Sequence, residues 1–140
     1  MMNTGATVSA ELGLSLVVPE HGAVPLVASL CYSAADPYAI RMAFHVGTED
    51  PVEWIFSRDL LSAGLAGPAG EGDVQVWPGE DHGLGVLNIS LSSPFGQAHF
   101  EAPMIAIADF LNRTFGVISA GRESSFINID SELDELLWRA

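Results

Sequence analysis

Hydrophobic and polar residues alternate strictly at the start of the chain. Val8, Ala10, Leu12, Leu14 and Leu16 fall in one phase, and Thr7, Ser9, Glu11, Gly13 and Ser15 in the other. A period of two over residues 7–18 predicts a long strand with one buried face, because successive side chains of a strand point to opposite sides. Pro19-Glu20-His21-Gly22 breaks the pattern as a turn, and a second strand follows with Val24, Leu26, Ala28, Leu30 and Tyr32 in phase. Asp36-Pro37-Tyr38 is expected to reverse the chain again, since proline presets the first central position of a turn. A third strand then carries Ile40, Met42, Phe44 and Val46 inward and leaves Arg41 and His45 outside. Residues 52–56 form a fourth strand that runs straight into a helix over 58–65, which stops at Gly67-Pro68.

The glycine-rich stretch 67–72 is expected to be a flexible connector. Beyond it the sheet resumes at Val74 and Val76, continues over 86–91, turns at Ser93-Pro94-Phe95-Gly96 and returns over 97–101. Pro103 is well placed to open a helix that reaches about residue 114. Met104, Ile105, Ala106, Ile107, Ala108, Phe110 and Leu111 leave that helix only Asp109, Asn112 and Arg113 as a polar face. A surface helix buries a stripe about 100° wide, so this one needs cover on more than one side. The sheet supplies one cover. The other is a neighbouring subunit, with Met104, Ile107, Phe110 and Leu111 as contacts, or a C-terminal helix of the same chain. That last helix is expected from Asp130-Ser131 onward, with Leu133, Leu136 and Leu137 as a docking stripe and Trp138 beside it. The order is four strands, a short helix, three strands and two helices. It predicts an α+β fold built on a mainly antiparallel sheet of about seven strands, in one domain over 1–140.

Composition changes the picture in two ways. The hydrophobic fraction, 49%, is at the top of the globular range, which again suggests apolar surface covered by another copy. Charge is one-sided: 18 acidic residues face five arginines, with no lysine, for a net charge of −13. Such a chain repels phosphate backbones and anionic lipid heads, so no nucleic-acid or membrane partner is expected. Cys31 sits in an apolar run and is expected to be a buried, inert thiol. The first cation is Arg41, so no basic segment precedes an apolar one, and the apolar run 102–108 falls far short of the roughly 20 residues that cross a bilayer. A cytoplasmic protein is expected.

Candidate chemistry is sparse. His21, His45, His82 and His99 are scattered singly, and neither a CxxC pair nor a G-x-S-x-G elbow occurs. Gly79, Gly83 and Gly85 lie in a hairpin with no helix behind them to receive a phosphate. Glu49-Asp50 stands beside Pro51 at a strand entry, and Asp81-His82 has the look of solvated turn residues. No catalytic residue, metal or cofactor is expected, and the chain is not expected to be an enzyme.

The segment Val52-Glu53-Trp54-Ile55-Phe56-Ser57-Arg58-Asp59-Leu60-Leu61-Ser62-Ala63-Gly64-Leu65 resembles a signature of the SsgA-like sporulation and cell-division family of filamentous actinobacteria. Further blocks follow in the family's order: Asp36-Pro37-Tyr38-Ala39-Ile40, Gly72-Asp73-Val74-Gln75-Val76-Trp77-Pro78, Leu91-Ser92-Ser93-Pro94 with Glu101-Ala102-Pro103, and Phe110-Leu111-Asn112-Arg113-Thr114. The fit is closest to the SsgB-type branch. The resemblance implies a fold like the whirly and guide-RNA-binding domains, a homotrimer, and a non-catalytic protein of future septum sites. It also implies two partners: the tubulin-like division GTPase FtsZ, which such a protein recruits and whose filaments it supports, and an SsgA-type paralogue. Candidate contact residues within these blocks and at element ends are Glu53, Arg58, Asp59, Trp77 and Trp138, each with a structural alternative. A competing function is a single-stranded nucleic-acid binder of the same fold. Trp54, Phe56, Trp77 and Phe95 would supply stacking there, but the five arginines are spread along the chain.

Overall fold

A computed structural model describes residues 6–47 and 50–126. Its strands are β1 (Thr7–Val18), β2 (Gly22–Ser33), β3 (Asp36–His45), β4 (Val52–Ser57), β5 (Val74–Asp81), β6 (Leu84–Ser93) and β7 (Gly96–Pro103). They make one sheet in the order β4-β3-β2-β1-β7-β6-β5, antiparallel at every step. Helix α1 (Arg58–Gly64) follows β4, helix α2 (Met104–Val117) follows β7, and a 3-10 turn (Glu123–Phe126) comes last. The seven expected strands and the first two expected helices are therefore present. The final helix, with Leu133, Leu136, Leu137 and Trp138, lies outside the described residues.

The period of two explains which side is buried. Val8, Leu12 and Leu14 of β1, Ala28, Leu30 and Tyr32 of β2, and Ile40, Met42 and Phe44 of β3 point to one face. Leu61 of α1 and Ile107, Phe110 and Leu111 of α2 close over that face and join the same core. Phe44 and Phe100 stack with ring centroids 4.3 Å apart, linking β3 to β7 across the inside of the curved sheet. The β5–β6 hairpin turns on His82 (φ 50°) and Gly83 (φ 81°), the two consecutive left-handed residues that a tight hairpin matched to strand twist requires.

Four local expectations are corrected. The chain reverses at Ala34-Ala35, and Asp36-Pro37-Tyr38 already belongs to β3. The reason is a Ser33 hydroxyl that accepts from the Ala35 amide, while the Tyr32 hydroxyl donates to the Pro37 carbonyl. Val24 and Val46 share the core's phase but lie beyond the helices' cover, 43% and 45% exposed. Cys31 is exposed: its neighbours Leu30 and Tyr32 take the inner face, which turns residue 31 outward. The connector is pinned, because Ala69 and Val76 exchange backbone hydrogen bonds of 2.8 and 2.9 Å across it.

Candidate protein-interaction surface

Ser57 ends β4 and caps α1, its hydroxyl accepting from the Leu60 amide at 3.2 Å. The next residue, Arg58, turns inward and is completely buried. Its guanidinium donates to the Thr114 carbonyl (3.2 Å) and the Ile118 carbonyl (2.7 Å) at the end of α2, and to the Glu123 carboxylate at 2.7 Å. The last carbonyls of a helix lack intrahelical donors and carry partial negative charge, so a cation is well placed there. The rings of Tyr32 and Phe115 flank the guanidinium, 5.0 and 4.4 Å from its carbon. Glu123 is held below its ordinary pKa, chiefly by the hydrogen bond from Arg58, and burial pushes the Tyr32 phenol up. This cluster is an internal clasp joining α1, α2 and the 3-10 turn.

At the opposite end of the sheet's inner face, where neither helix reaches, an apolar groove of about 320 Å³ stays open. Leu16, Phe44, Trp54, Leu91 and Phe100 line it, and among the described residues no charged one does. Phe95, on the β6–β7 turn at its rim, is 100% exposed, and Val52 beside it is 51% exposed. The turn that displays Phe95 is set by Ser93, whose hydroxyl accepts from the Phe95 amide. The outer face of the sheet is different in character. There Arg41 and Glu53 form an exposed ion pair at 3.2 Å, Ser29 and His45 meet at 2.8 Å, and His99 and Asn88 meet at 2.8 Å under the ring of Trp77. Among the described residues no group of three or more His, Cys, Asp or Glu side chains is arranged to hold a metal ion, and no helix is long and apolar enough to cross a membrane.

Residues 26–123 match the family model described as Streptomyces sporulation and cell division protein, SsgA. The chain belongs to this family. It is 52% identical over 98% of its length to the sporulation-specific cell division protein SsgB of Thermobifida fusca, covering 99% of that protein. To SsgB of Streptomyces coelicolor it is 50% identical, over 97% of this chain and 98% of that one. A crystal structure of an SsgA-like sporulation-specific cell division protein from Thermobifida fusca superimposes with a TM-score of 0.88 at 52% identity, over 96% of this chain and 98% of that one. Within the SsgA family the likeness is thus to the SsgB type, and the role these names give is in sporulation and cell division.

The family blocks separate once they are placed in the fold. Glu53 is exposed on the outer face and paired with Arg41, and Asp59 is exposed in the first turn of α1. Arg58 is no surface contact: the strand-to-helix turn directs it into the core, where Glu123 and the α2 carbonyls hold it. Trp77 lies mid-strand on the outer face, half-buried and 5.4 Å from His99. Trp138 lies outside the described residues. Of the proposed subunit contacts, Ile107, Phe110 and Leu111 are only 1%, 1% and 2% exposed, because their helical spacing puts them on the stripe that faces the chain's own sheet. Met104 is half-buried, and the exposed apolar residue of α2 is Ile105, at 86%. Phe95, named from the sequence only as a candidate stacking group for nucleic acid, is the fully exposed aromatic of this surface. Its only sequence signal was a large aromatic at a central turn position, where burial is not available.

Proposed function

We propose that the chain acts at future septum sites as a docking protein for the tubulin-like division GTPase FtsZ, recruiting it and supporting its filaments through protein contacts. In the same reading it works as a homotrimer, without catalysis, and is positioned by an SsgA-type paralogue. The observation that carries the reading is the near full-length likeness to sporulation-specific cell division proteins, at 52% identity and a TM-score of 0.88. The open apolar groove with Phe95 on its rim supplies the kind of surface that anchors a polypeptide partner. The competing nucleic-acid function draws little support from the cations. Arg58 is buried on Glu123, Arg41 is paired with Glu53, and Arg113 donates to the Ser9 carbonyl. The test is co-pelleting with polymerised FtsZ, compared with an equally acidic control protein. Enrichment in the filament pellet is expected, and its absence rejects the proposal.

A further inference from the structure

The two edges of the sheet are not alike. Alternate residues of a strand bond to opposite neighbours, so one known bond fixes the direction of the rest. The Ala34 amide donates to the Ala6 carbonyl, which turns the even-numbered residues of β1 toward β2. Through the registers, odd residues of β2 then bond odd residues of β3, and even residues of β3 bond Val52, Trp54 and Phe56. Glu53 and Ile55 therefore aim their N–H and C=O groups away from the sheet. In the other direction, through β7 and β6, the same alternation leaves Val74, Val76 and Pro78 outward on β5. Val76 does bond outward, exchanging hydrogen bonds with Ala69 as this alternation requires.

The β5 edge is closed. Ala69 pairs with Val76, Gly70 lies against the Val74 carbonyl where a Cβ has no room, and Pro78 has no N–H to offer. The β4 edge has no such cover: among the described residues no backbone group bonds Glu53 or Ile55 from outside. Neither side chain shields it, since Glu53 is paired with Arg41 on the outer face and Ile55 is 55% exposed. On the inner face β4 continues into the apolar groove, whose wall includes Val52 and Trp54. Exposed Asp50 and Asp59 stand at the two ends of the strand, while Arg58 is buried on Glu123 and Arg41 is taken by Glu53.

We propose that β4 is a docking edge, to which an extended segment of the partner polypeptide adds as an eighth strand. The backbone of that segment bonds Glu53 and Ile55, its alternate side chains lie over the groove beside Val52 and Trp54, and basic residues at its flanks meet Asp50 and Asp59. The proposal rests on the docking role above and names how the partner is held. A second copy of this chain is the poorer occupant, because its β4 brings the same acids in a chain of net charge −13.

The test is amide hydrogen exchange of the full chain, read residue by residue, alone and with polymerised FtsZ. In the free chain Glu53 and Ile55 are expected to exchange fast, while Trp54 and Phe56, bonded to β3, are protected. With filaments, Glu53 and Ile55 should slow by about tenfold or more. Ile55→Pro removes the outward N–H without breaking the β3 ladder and should weaken co-pelleting about tenfold. Ile55→Ala, which keeps that N–H, should cost less than about threefold, as should Pro78→Ala on the closed edge. Protection of both amides in the free chain, whether by residues 127–140 or by a second copy, would overturn the proposal. So would an Ile55→Pro chain that melts normally and pellets in full. Co-pelleting of the unaltered chain with no slowing at Glu53 and Ile55 rejects the edge and leaves the docking role standing. No co-pelleting at all rejects the docking role and the edge with it.

Discussion

Arg58 and Glu123 meet at 2.7 Å inside the protein although 65 residues separate them in the chain. The pair is almost wholly buried, and its guanidinium also closes the C-terminal end of α2 through Thr114 and Ile118. Removing one partner of a buried pair strands the other charge in a poor solvent. Arg58→Met is therefore expected to destabilise the fold by about 3 kcal/mol or more, measured by urea unfolding. Glu123→Gln should be milder, because the amide keeps an acceptor for the guanidinium. An Arg58→Met midpoint equal to that of the unaltered chain would mean that the clasp contributes nothing.

The same pair sets an acid limit. Glu123 titrates below its ordinary value of 4.5 in the folded chain, first because Arg58 donates to it. Its contribution is fully present above that ordinary value and is lost as pH falls through the lower folded value. Stability should decline on acidification, and Glu123→Gln should flatten the decline. Equal slopes for the two proteins would rule the pair out as its source.

Tyr32 sets an alkaline counterpart. Burial raises its phenol above the ordinary value of 10.0, and the nearby Arg58 charge opposes that rise. Above the ordinary value the unfolded chain loses this proton while the folded chain keeps it, so stability falls as pH rises further. Phenolate absorbance should show a tyrosine still protonated past that point, absent from Tyr32→Phe.

Gly64 closes α1 where the helix presses on β5. An added Cβ would lie 2.4 Å from Val76 Cγ2 and 3.2 Å from Leu87 Cδ1. Alanine improves helix propensity by about 1 kcal/mol, while overpacking of this kind costs about 1–3 kcal/mol. The clash should win, because Val76 and Leu87 are themselves fully buried and have nowhere to move. Gly64→Ala is expected to lower the melting temperature, and a rise would show that α1 can lift from the sheet.

Most of the fold was legible in the chain because strand periodicity is a local signal. The alternation in β1, and Ile40, Met42 and Phe44 in β3, fixed which face is buried without knowledge of strand order. What failed was whatever depends on distant neighbours. Arg58 has the sequence appearance of a solvent-facing helix-start residue, and nothing local announces Glu123 as its counterion. The apolar residues of α2 were seen to need cover, yet periodicity alone did not say that the chain's own sheet supplies it for Ile107, Phe110 and Leu111. Val24 and Val46 failed for the same reason. Their phase is right, but neither α1 nor α2 reaches that end of the sheet.

Glu53 and Arg41 pair on the outer face with side chains half in water, 50% and 55% exposed. Exposed pairs are worth about 1 kcal/mol at most, so Glu53→Ala should leave the unfolding midpoint nearly unchanged. Any effect on filament docking should appear in the association rate and fade as salt rises. A loss of binding that persists at high salt would instead make Glu53 a direct contact.

Phe95 offers the sharpest separation of stability from function. It is fully exposed on a turn, so Phe95→Ser removes no packing and should change stability by no more than about 0.5 kcal/mol. The same substitution takes a large aromatic from the rim of a groove whose floor is Phe44, Trp54 and Phe100. Aromatic anchors beside such pockets commonly carry about 2 kcal/mol or more of a protein contact, roughly a thirtyfold change in affinity. If the groove receives the filament, Phe95→Ser should fold normally and lose co-pelleting with FtsZ. Phe44→Ser is the contrasting case, since that ring is 1% exposed and stacked on Phe100, and its loss should unfold the chain. A Phe95→Ser protein that melts normally and still pellets fully would move the docking surface elsewhere, with the outer face around Trp77 and Glu53 the next to be altered.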